Sequence, residues 1–291
     1  MNSINNIKTV VFPVAGLGSR FLPATKVVAK ELLPILNKPL IDYAVNEAKN
    51  AGIERFIFVN SPHKPSVINY FKKNEKLEKE LGDKNSEYFK LISSNLIEQE
   101  NLIEVIQDKP LGLGHAIWCA KDYISGPFAV ILPDDLVLSD VPCIGQMIEV
   151  YKKSKSNVVA IQEVDKNNIE KYGVIDYYKN ENNIYHVKGM VEKPAKEKAP
   201  SNLAIIGRYI LNPSIIEELS NHELGVGGEI QLTDAIKKLI NTERVIGYKF
   251  DGNRYDCGNI MGALEAQLSV AIKDEKYKSQ VKEIINNLCK D

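Results

Sequence analysis

The sequence predicts an α/β protein: a doubly wound, mainly parallel sheet with helices on both faces, to which an antiparallel portion is added. Two observations carry this. Up to about residue 156, apolar β-branched runs alternate with amphipathic stretches; from Asn157 onward, strand-like segments follow one another with only polar turns between them.

Thr9 to Val14 is the first strand-like run and ends in a glycine-containing loop. After Pro39, residues Ile41, Ala44, Val45 and Ala48 keep the i, i+3, i+4, i+7 spacing of one helix face, and Gly52 stops the helix. Ile53 to Val59 is a second strand, followed by a polar, helical stretch from Val67 to about Ile92. The alternation continues with Ile103 to Gln107 as strand, Gly114 to Tyr123 as helix, Phe128 to Leu132 as strand and Pro142 to Lys153 as helix. The strand-rich part comprises Val158 to Val164, Tyr172 to Tyr178, Ile184 to Val191 and Leu203 to Leu211. Helices are then expected at Glu229 to Ile240, where Leu232, Ala235, Ile236 and Leu239 form one stripe, and at Met261 to Ile272, with a strand from Arg244 to Phe250 between them.

Composition narrows the function. Among 291 residues, 37 basic side chains face 38 acidic ones. No whole-molecule field draws nucleic acid or an anionic membrane, so any anion must be met by cations placed locally. The longest apolar runs, such as Phe128 to Leu132, fall far short of the roughly 18 residues of a membrane span. Met1 to Lys8 is polar and lacks the apolar core of a signal peptide, which makes the cytoplasm the expected compartment. Cysteines 119, 143, 257 and 289 and histidines 63, 115, 186 and 222 are scattered, without the spacing of zinc ligands or a disulfide framework. A metal, if used, is expected on carboxylates, which suits magnesium.

The most informative stretch is Val14 to Pro34, VAGLGSRFLPATKVVAKELLP, directly after the first strand. Gly16 and Gly18 let the backbone approach a ligand and present N–H groups to phosphate oxygens. Position 21 is Phe, so the dinucleotide fingerprint is missing, and the chain contains no Gly-Lys pair for a P-loop. Arg20, Lys26 and Lys30 beside the glycine turn suit a polyphosphate. Farther on, in QDKPLGLGHA, the amide of Gln107 offers acceptor and donor side by side, which matches the N3–H and O4 edge of uracil. Gly112 and Gly114 leave main-chain groups accessible there. Asp134 and Asp135 follow a strand end, the place where open α/β sheets bind ligands. In Val191-Glu192-Lys193-Pro194, a carboxylate able to accept from sugar hydroxyls stands next to a cation able to meet a phosphate.

The Val14 to Pro34 stretch resembles the signature of the sugar-nucleotide pyrophosphorylases, G-x-G-T-R, x-x-P-x-T-K, K-E or K-Q, and L-L-P. It is most similar to that of the bacterial UTP:glucose-1-phosphate uridylyltransferases. Two departures stand out: Ser19 replaces a threonine, and Ala29 replaces a proline whose ring would restrain the loop. Arg254-Tyr255-Asp256-Cys257-Gly258 likewise resembles a W-x-D-T-G motif, and Tyr172 to Ile175 and Gly207 to Tyr209 flank E-K-P as in the family. The match spans about residues 7 to 272.

The resemblance implies a Rossmann-like, glycosyltransferase-A-like nucleotidyltransferase domain over 1–272, binding nucleotide with about 7–156 and sugar phosphate with about 157–260, followed by a helical tail at 273–291. It implies that Ala15, Gly16, Gly18, Glu31, Gln107 and Gly112 bind nucleotide, that Gly173 and Glu192 bind glucose, and that Lys193 binds its phosphate. Arg20, Lys30 and Lys193 would serve catalysis, and Asp134 and Asp256 would hold magnesium. The implied reaction joins UTP and glucose 1-phosphate to give UDP-glucose and pyrophosphate, in a dimer or tetramer. A thymidylyl- or cytidylyltransferase is the alternative within the enzyme class, since one methyl group separates uracil from thymine. A non-catalytic nucleotide-sugar binder is the alternative outside it.

Overall fold

The computed structural model describes residues 7–82 and 86–288. In chain order the elements are β1 Thr9–Pro13, β2 Pro34–Ile35, β3 Lys38–Pro39, α1 Leu40–Asn50, β4 Arg55–Asn60, α2 Pro65–Asn69, α3 Glu75–Leu81, α4 Glu87–Ser93, β5 Leu102–Ile106 and α5 Leu113–Cys119. They continue with β6 Phe128–Ile131, β7 Asp135–Leu138, α6 Cys143–Ser154, β8 Asn157–Glu163, β9 Gly173–Glu181, β10 Ile184–Glu192 and β11 Leu203–Leu211. The last are α7 Ser214–Ser220, α8 Leu232–Leu239, β12 Val245–Lys249, β13 Asn253–Asp256, α9 Ile260–Lys273 and α10 Lys278–Leu288.

Nine strands form one sheet in the order β5-β4-β1-β6-β11-β8-β12-β10-β9. Strands β5, β4, β1 and β6 are parallel, with Val11 of β1 opposite Ile57 of β4 and Val130 of β6. The chain leaves β1 first toward β4 and later toward β6, so a topological switch point lies at their carboxyl ends, where such sheets open a ligand crevice. The glycine loop and Pro133-Asp134 both emerge there. The expected antiparallel portion does not stand apart: β11, β8, β12, β10 and β9 continue the same sheet, and β8 and β12 run parallel within it.

Strand alternation distributes the core. Val10 and Phe12 pack on one face with Ile41, Val45, Phe58, Ile144 and Met147. Val11 packs on the other with Ile117, Val130, Ile215 and Ile236. Each such side chain fully buried contributes about 1.5 to 3 kcal/mol. A smaller cluster of Ile35, Leu40, Leu136, Tyr255, Cys257 and Ala266 anchors the β7–β13 ribbon to α9.

One buried ion pair ties this core to the crevice. Arg208 on β11 donates from Nε to both carboxylate oxygens of Glu47 on α1 at 3.1 Å and from Nη2 to Oε2 at 2.8 Å. Its Nη1 donates to the carbonyl of Leu132, next to Pro133-Asp134. The opposing carboxylate thus fixes the end of β6.

Several elements differ from the sequence reading. The helix expected over Val67 to Ile92 is broken into α2, α3 and α4. Residues 229–231 are extended rather than helical, because Ile230 exchanges backbone hydrogen bonds with Leu111 and Gly114. The short strands β7 and β13 pair with each other, and α7 adds a helix that the sequence reading lacks. The tail carries α10 from Lys278 to Leu288, and Cys289 lies outside the described residues. No helix among the described residues is long and apolar enough to cross a membrane.

Candidate active site

The glycine loop is shaped by a left-handed residue and a side-chain clamp. Gly18 has φ 69°, and a Cβ there would lie 3.0 Å from the Lys30 Cβ. Thr25 Oγ1 donates to the Gly18 carbonyl at 2.8 Å. The N–H groups of Ala15, Gly16, Leu17 and Gly18 donate to no backbone acceptor among the described residues, which suits them to phosphate oxygens. Ala29 adopts φ −59°, within the range a proline ring would impose.

Lys64, which the sequence reading did not single out, holds the loop from below. Its ammonium donates to the carbonyl of Val14 at 3.1 Å, to that of Gly16, and to Glu31 Oε2 at 3.1 Å. Glu31 is buried, and burial outweighs Lys64 and Lys30 in pushing its carboxyl above the usual glutamate range. Its Oε2 is engaged by Lys64 beneath the loop.

The two aspartates at the end of β6 divide their work. Asp135 accepts from Arg254 Nε at 2.7 Å and from the Gly207 N–H at 2.8 Å, while Arg254 lies over the Tyr172 ring and donates to its hydroxyl. Asp134 faces the crevice, where Lys30 Nζ meets its Oδ2 at 2.5 Å. Burial works against both charges of this pair. Each nonetheless holds the other, so that Asp134 sits below the ordinary aspartate pKa and Lys30 above the ordinary lysine value.

Gly258 marks where the site converges. A Cβ built on it would lie 3.0 Å from Asp256 Oδ1, 3.2 Å from Asp134 Oδ2 and 3.5 Å from Arg20 Nη1. Two carboxylates and a guanidinium, far apart in sequence, thus surround one point. Among the described residues no three His, Cys, Asp or Glu side chains gather into a closed metal cage. A pair of aspartates with room for other oxygens is the donor set that magnesium accepts, because it keeps several waters and substrate phosphates as ligands. Lys26, by contrast, is exposed on the loop.

Two cavities flank this point and share Leu113, Leu132, Asp134 and Glu229. One, of about 260 Å³, is lined by Ala15, Gly16, Lys30, Gln107 and Gly112. The other, of about 270 Å³, is lined by Arg20, Tyr172, Gly173, Glu192, Lys193, Thr233 and Asp256. Gly173 is tightly packed: a Cβ would lie 3.0 Å from Glu192 Oε2 and from Thr233 Oγ1, so those side-chain tips would have to give way. Thr233 donates to Glu192 at 2.8 Å. Lys193 adopts φ 45°, an unfavourable left-handed conformation for a side-chain-bearing residue, and its N–H donates to the Tyr172 carbonyl. Thr233 and Tyr172 hold Glu192 and Lys193 at the cavity wall, and no sequence motif reports those long-range contacts.

Gln107 differs in detail from its sequence reading. Its Nε2 donates to the Gly112 carbonyl at 3.2 Å and lies 2.9 Å from His115 Nδ1, so the amide donor is turned into the protein. Gly112, with φ 102°, also fits for steric reasons, because a Cβ would lie 2.7 Å from the Glu229 Cβ and 2.9 Å from the Ile230 carbonyl oxygen.

The family model described as nucleotidyl transferase matches residues 10–272. UTP--glucose-1-phosphate uridylyltransferase 2 of Staphylococcus saprophyticus is 44% identical over 286 residues, covering 98% of this chain and 99% of that protein. A crystal structure of UDP-glucose pyrophosphorylase complexed with UDP-glucose shares 43% identity with a TM-score of 0.82, covering 92% of this chain and all of that one. A UTP-bound UGPase from Acinetobacter baumannii shares 39% identity with a TM-score of 0.88, covering 97% of this chain and all of its own.

Proposed function

The chain belongs to the nucleotidyl transferase family, and we propose on that premise that it converts UTP and glucose 1-phosphate into UDP-glucose and pyrophosphate. The observation that carries the reading is the convergence of Asp134, Asp256 and Arg20 on one point between two cavities, one floored by the glycine loop and Gln107 and the other walled by Glu192 and Lys193.

An oxygen of the sugar phosphate attacks the α-phosphorus of UTP in line, the bond to the bridging oxygen breaks, and pyrophosphate departs. A phosphate oxygen is already ionised at neutral pH, so no general base is needed. The obstacle is charge: two unit anions about 4 Å apart repel by roughly 4 kcal/mol at an effective dielectric of 20. Alignment and neutralisation by fixed groups are the means of catalysis. In this reading the loop amides of Ala15, Gly16 and Gly18 cradle the triphosphate, and Arg20 and Lys30 offset its charge. Gln107 and Gly112 address uracil, Gly173 and Glu192 face glucose, Glu31 supports the loop through Lys64, and Lys193 meets the sugar phosphate. Asp134 and Asp256 would hold magnesium, which when bound supplies Lewis-acid neutralisation of phosphate charge.

The reading extends to a cytoplasmic enzyme, a compartment that keeps thiols such as Cys119, Cys143 and Cys257 reduced. It includes a homo-oligomer, a dimer or tetramer, supported by the exposed apolar side chains Ile260, Met261, Leu264 and Leu268 on α9. No nucleic acid or membrane partner belongs to it. The test is pyrophosphate release with glucose 1-phosphate, magnesium and UTP, dTTP or CTP in turn. Preferred turnover of UTP is expected; preference for dTTP or CTP would reassign the nucleotide, and no release with any of them would favour a non-catalytic binder.

A further inference from the structure

The amide of Gln107 can face its cavity in two ways, and its neighbours select one. The Gly112 carbonyl oxygen, 3.2 Å from the amide, can only accept a hydrogen bond, so the atom facing it must be Nε2. The second Nε2 hydrogen points to His115 Nδ1 at 2.9 Å, which must then be an unprotonated acceptor, with the ring proton on Nε2. Both amide hydrogens are thereby committed inward. Among the described residues Oε1 accepts no hydrogen bond, and Gln107 lines the same cavity as Ala15 and the glycine loop.

We propose that His115 is a positioning residue for base selection: it locks the Gln107 amide so that the nucleotide cavity meets an acceptor alone. An acceptor matches the N3–H of uracil and opposes the lone pair that cytosine carries at N3. A freely rotating glutamine would offer its NH2 group to cytosine equally well, so the lock discriminates by withholding the donor. The surroundings of His115 favour a neutral ring, and the Cys119 thiol lies beside it, 3.7 Å from Nδ1 and 3.9 Å from Nε2. Its ring lies on α5 against Trp118 and His222, at centroid distances of 6.0 and 5.7 Å, and partial burial together with His222 disfavours its protonated form. Thymine presents the same N3–H, so the device separates UTP from CTP and leaves dTTP to other contacts.

This inference rests on the uridylyltransferase reading and deepens it. The test uses the full chain with two substitutions. His115→Leu removes the acceptor, and His115→Asn places an amide oxygen near the position of Nδ1. The ratio of kcat/KM for UTP to that for CTP is expected to fall roughly tenfold in H115L, the effect of losing one hydrogen bond, with kcat for UTP little changed; H115N should restore most of it. A ratio within twofold of wild type in H115L, or an H115N that falls as far as H115L, overturns the proposal. A third measurement does not depend on the stability of H115L: the 15N resonances of His115 in the wild-type protein, assigned by their loss in H115N, should report the Nε2–H tautomer. The Nδ1–H tautomer overturns it. Failure of the wild-type protein to turn over UTP would instead overturn the parent reading.

Discussion

Gly258→Ala separates the role of the acid cluster from the stability of the fold. Gly258 does not occupy the left-handed region, so alanine carries no backbone penalty there. Its methyl group would stand 3.0 Å from Asp256 Oδ1 and 3.2 Å from Asp134 Oδ2. Carbon and oxygen prefer separations of about 3.5 Å, so each carboxylate must withdraw by roughly 0.3 to 0.5 Å. Functional constellations tolerate about 0.5 Å, and a displacement of about 1 Å can cost on the order of 100-fold in rate. Between these limits, kcat should fall by about 10- to 100-fold, and more magnesium should be needed to reach half-maximal rate. Unfolding in urea should stay within about 1 kcal/mol of wild type, as for other substitutions free of a named destabilising mechanism. The assay is pyrophosphate release with both substrates saturating, across a magnesium titration. A kcat within threefold of wild type at unchanged magnesium dependence would refute the reasoning.

Two further perturbations probe other links. Lys193→Ala should raise KM for glucose 1-phosphate at least tenfold, on the order of one charge-assisted phosphate contact, while KM for UTP moves less than twofold; equal effects on both would remove Lys193 from the sugar-phosphate side. Arg208→Met leaves Glu47 buried without its partner and should cost about 3 to 5 kcal/mol in urea unfolding, with Glu47→Leu added to Arg208→Met recovering part of the loss. A single substitution costing under about 1 kcal/mol would show that the pair does not anchor β6.

What the sequence disclosed and what it withheld have a common physical cause. Arg20, Gln107 and Asp134 stood out as candidates because each sits in a short motif at a strand end or turn, and Asp256 through the likeness of its motif to the family's; the fold brings Arg20, Asp134 and Asp256 to one point and Gln107 to the adjoining cavity. The parallel order of β1, β4, β5 and β6 followed from periodicity. Supporting contacts carry no such local mark. Glu47 and Arg208 lie 161 residues apart, and Asp135 and Arg254 lie 119 apart. Glu31 matches a motif residue, yet its partner Lys64 stands in an unremarked turn. The apolar stripe of α8 suggested a helix from Glu229, but the hydrogen bonds of Ile230 to Leu111 and Gly114 override that local preference. Gln107 was read as a donor and acceptor pair; only the fold reveals that Gly112 and His115 occupy the donor.

The account rests on the idea that a nearly neutral protein brings carboxylates and cations together where two anionic phosphates must meet, and that of the two adjacent aspartates Asp134 is the one facing them. Turnover of Asp134→Ala tests this most directly. Pyrophosphate release from UTP and glucose 1-phosphate should fall by at least about 100-fold, as when a preorganised charge-stabilising group is removed, with cooperative unfolding retained. Near-normal release by the folded variant would contradict the account.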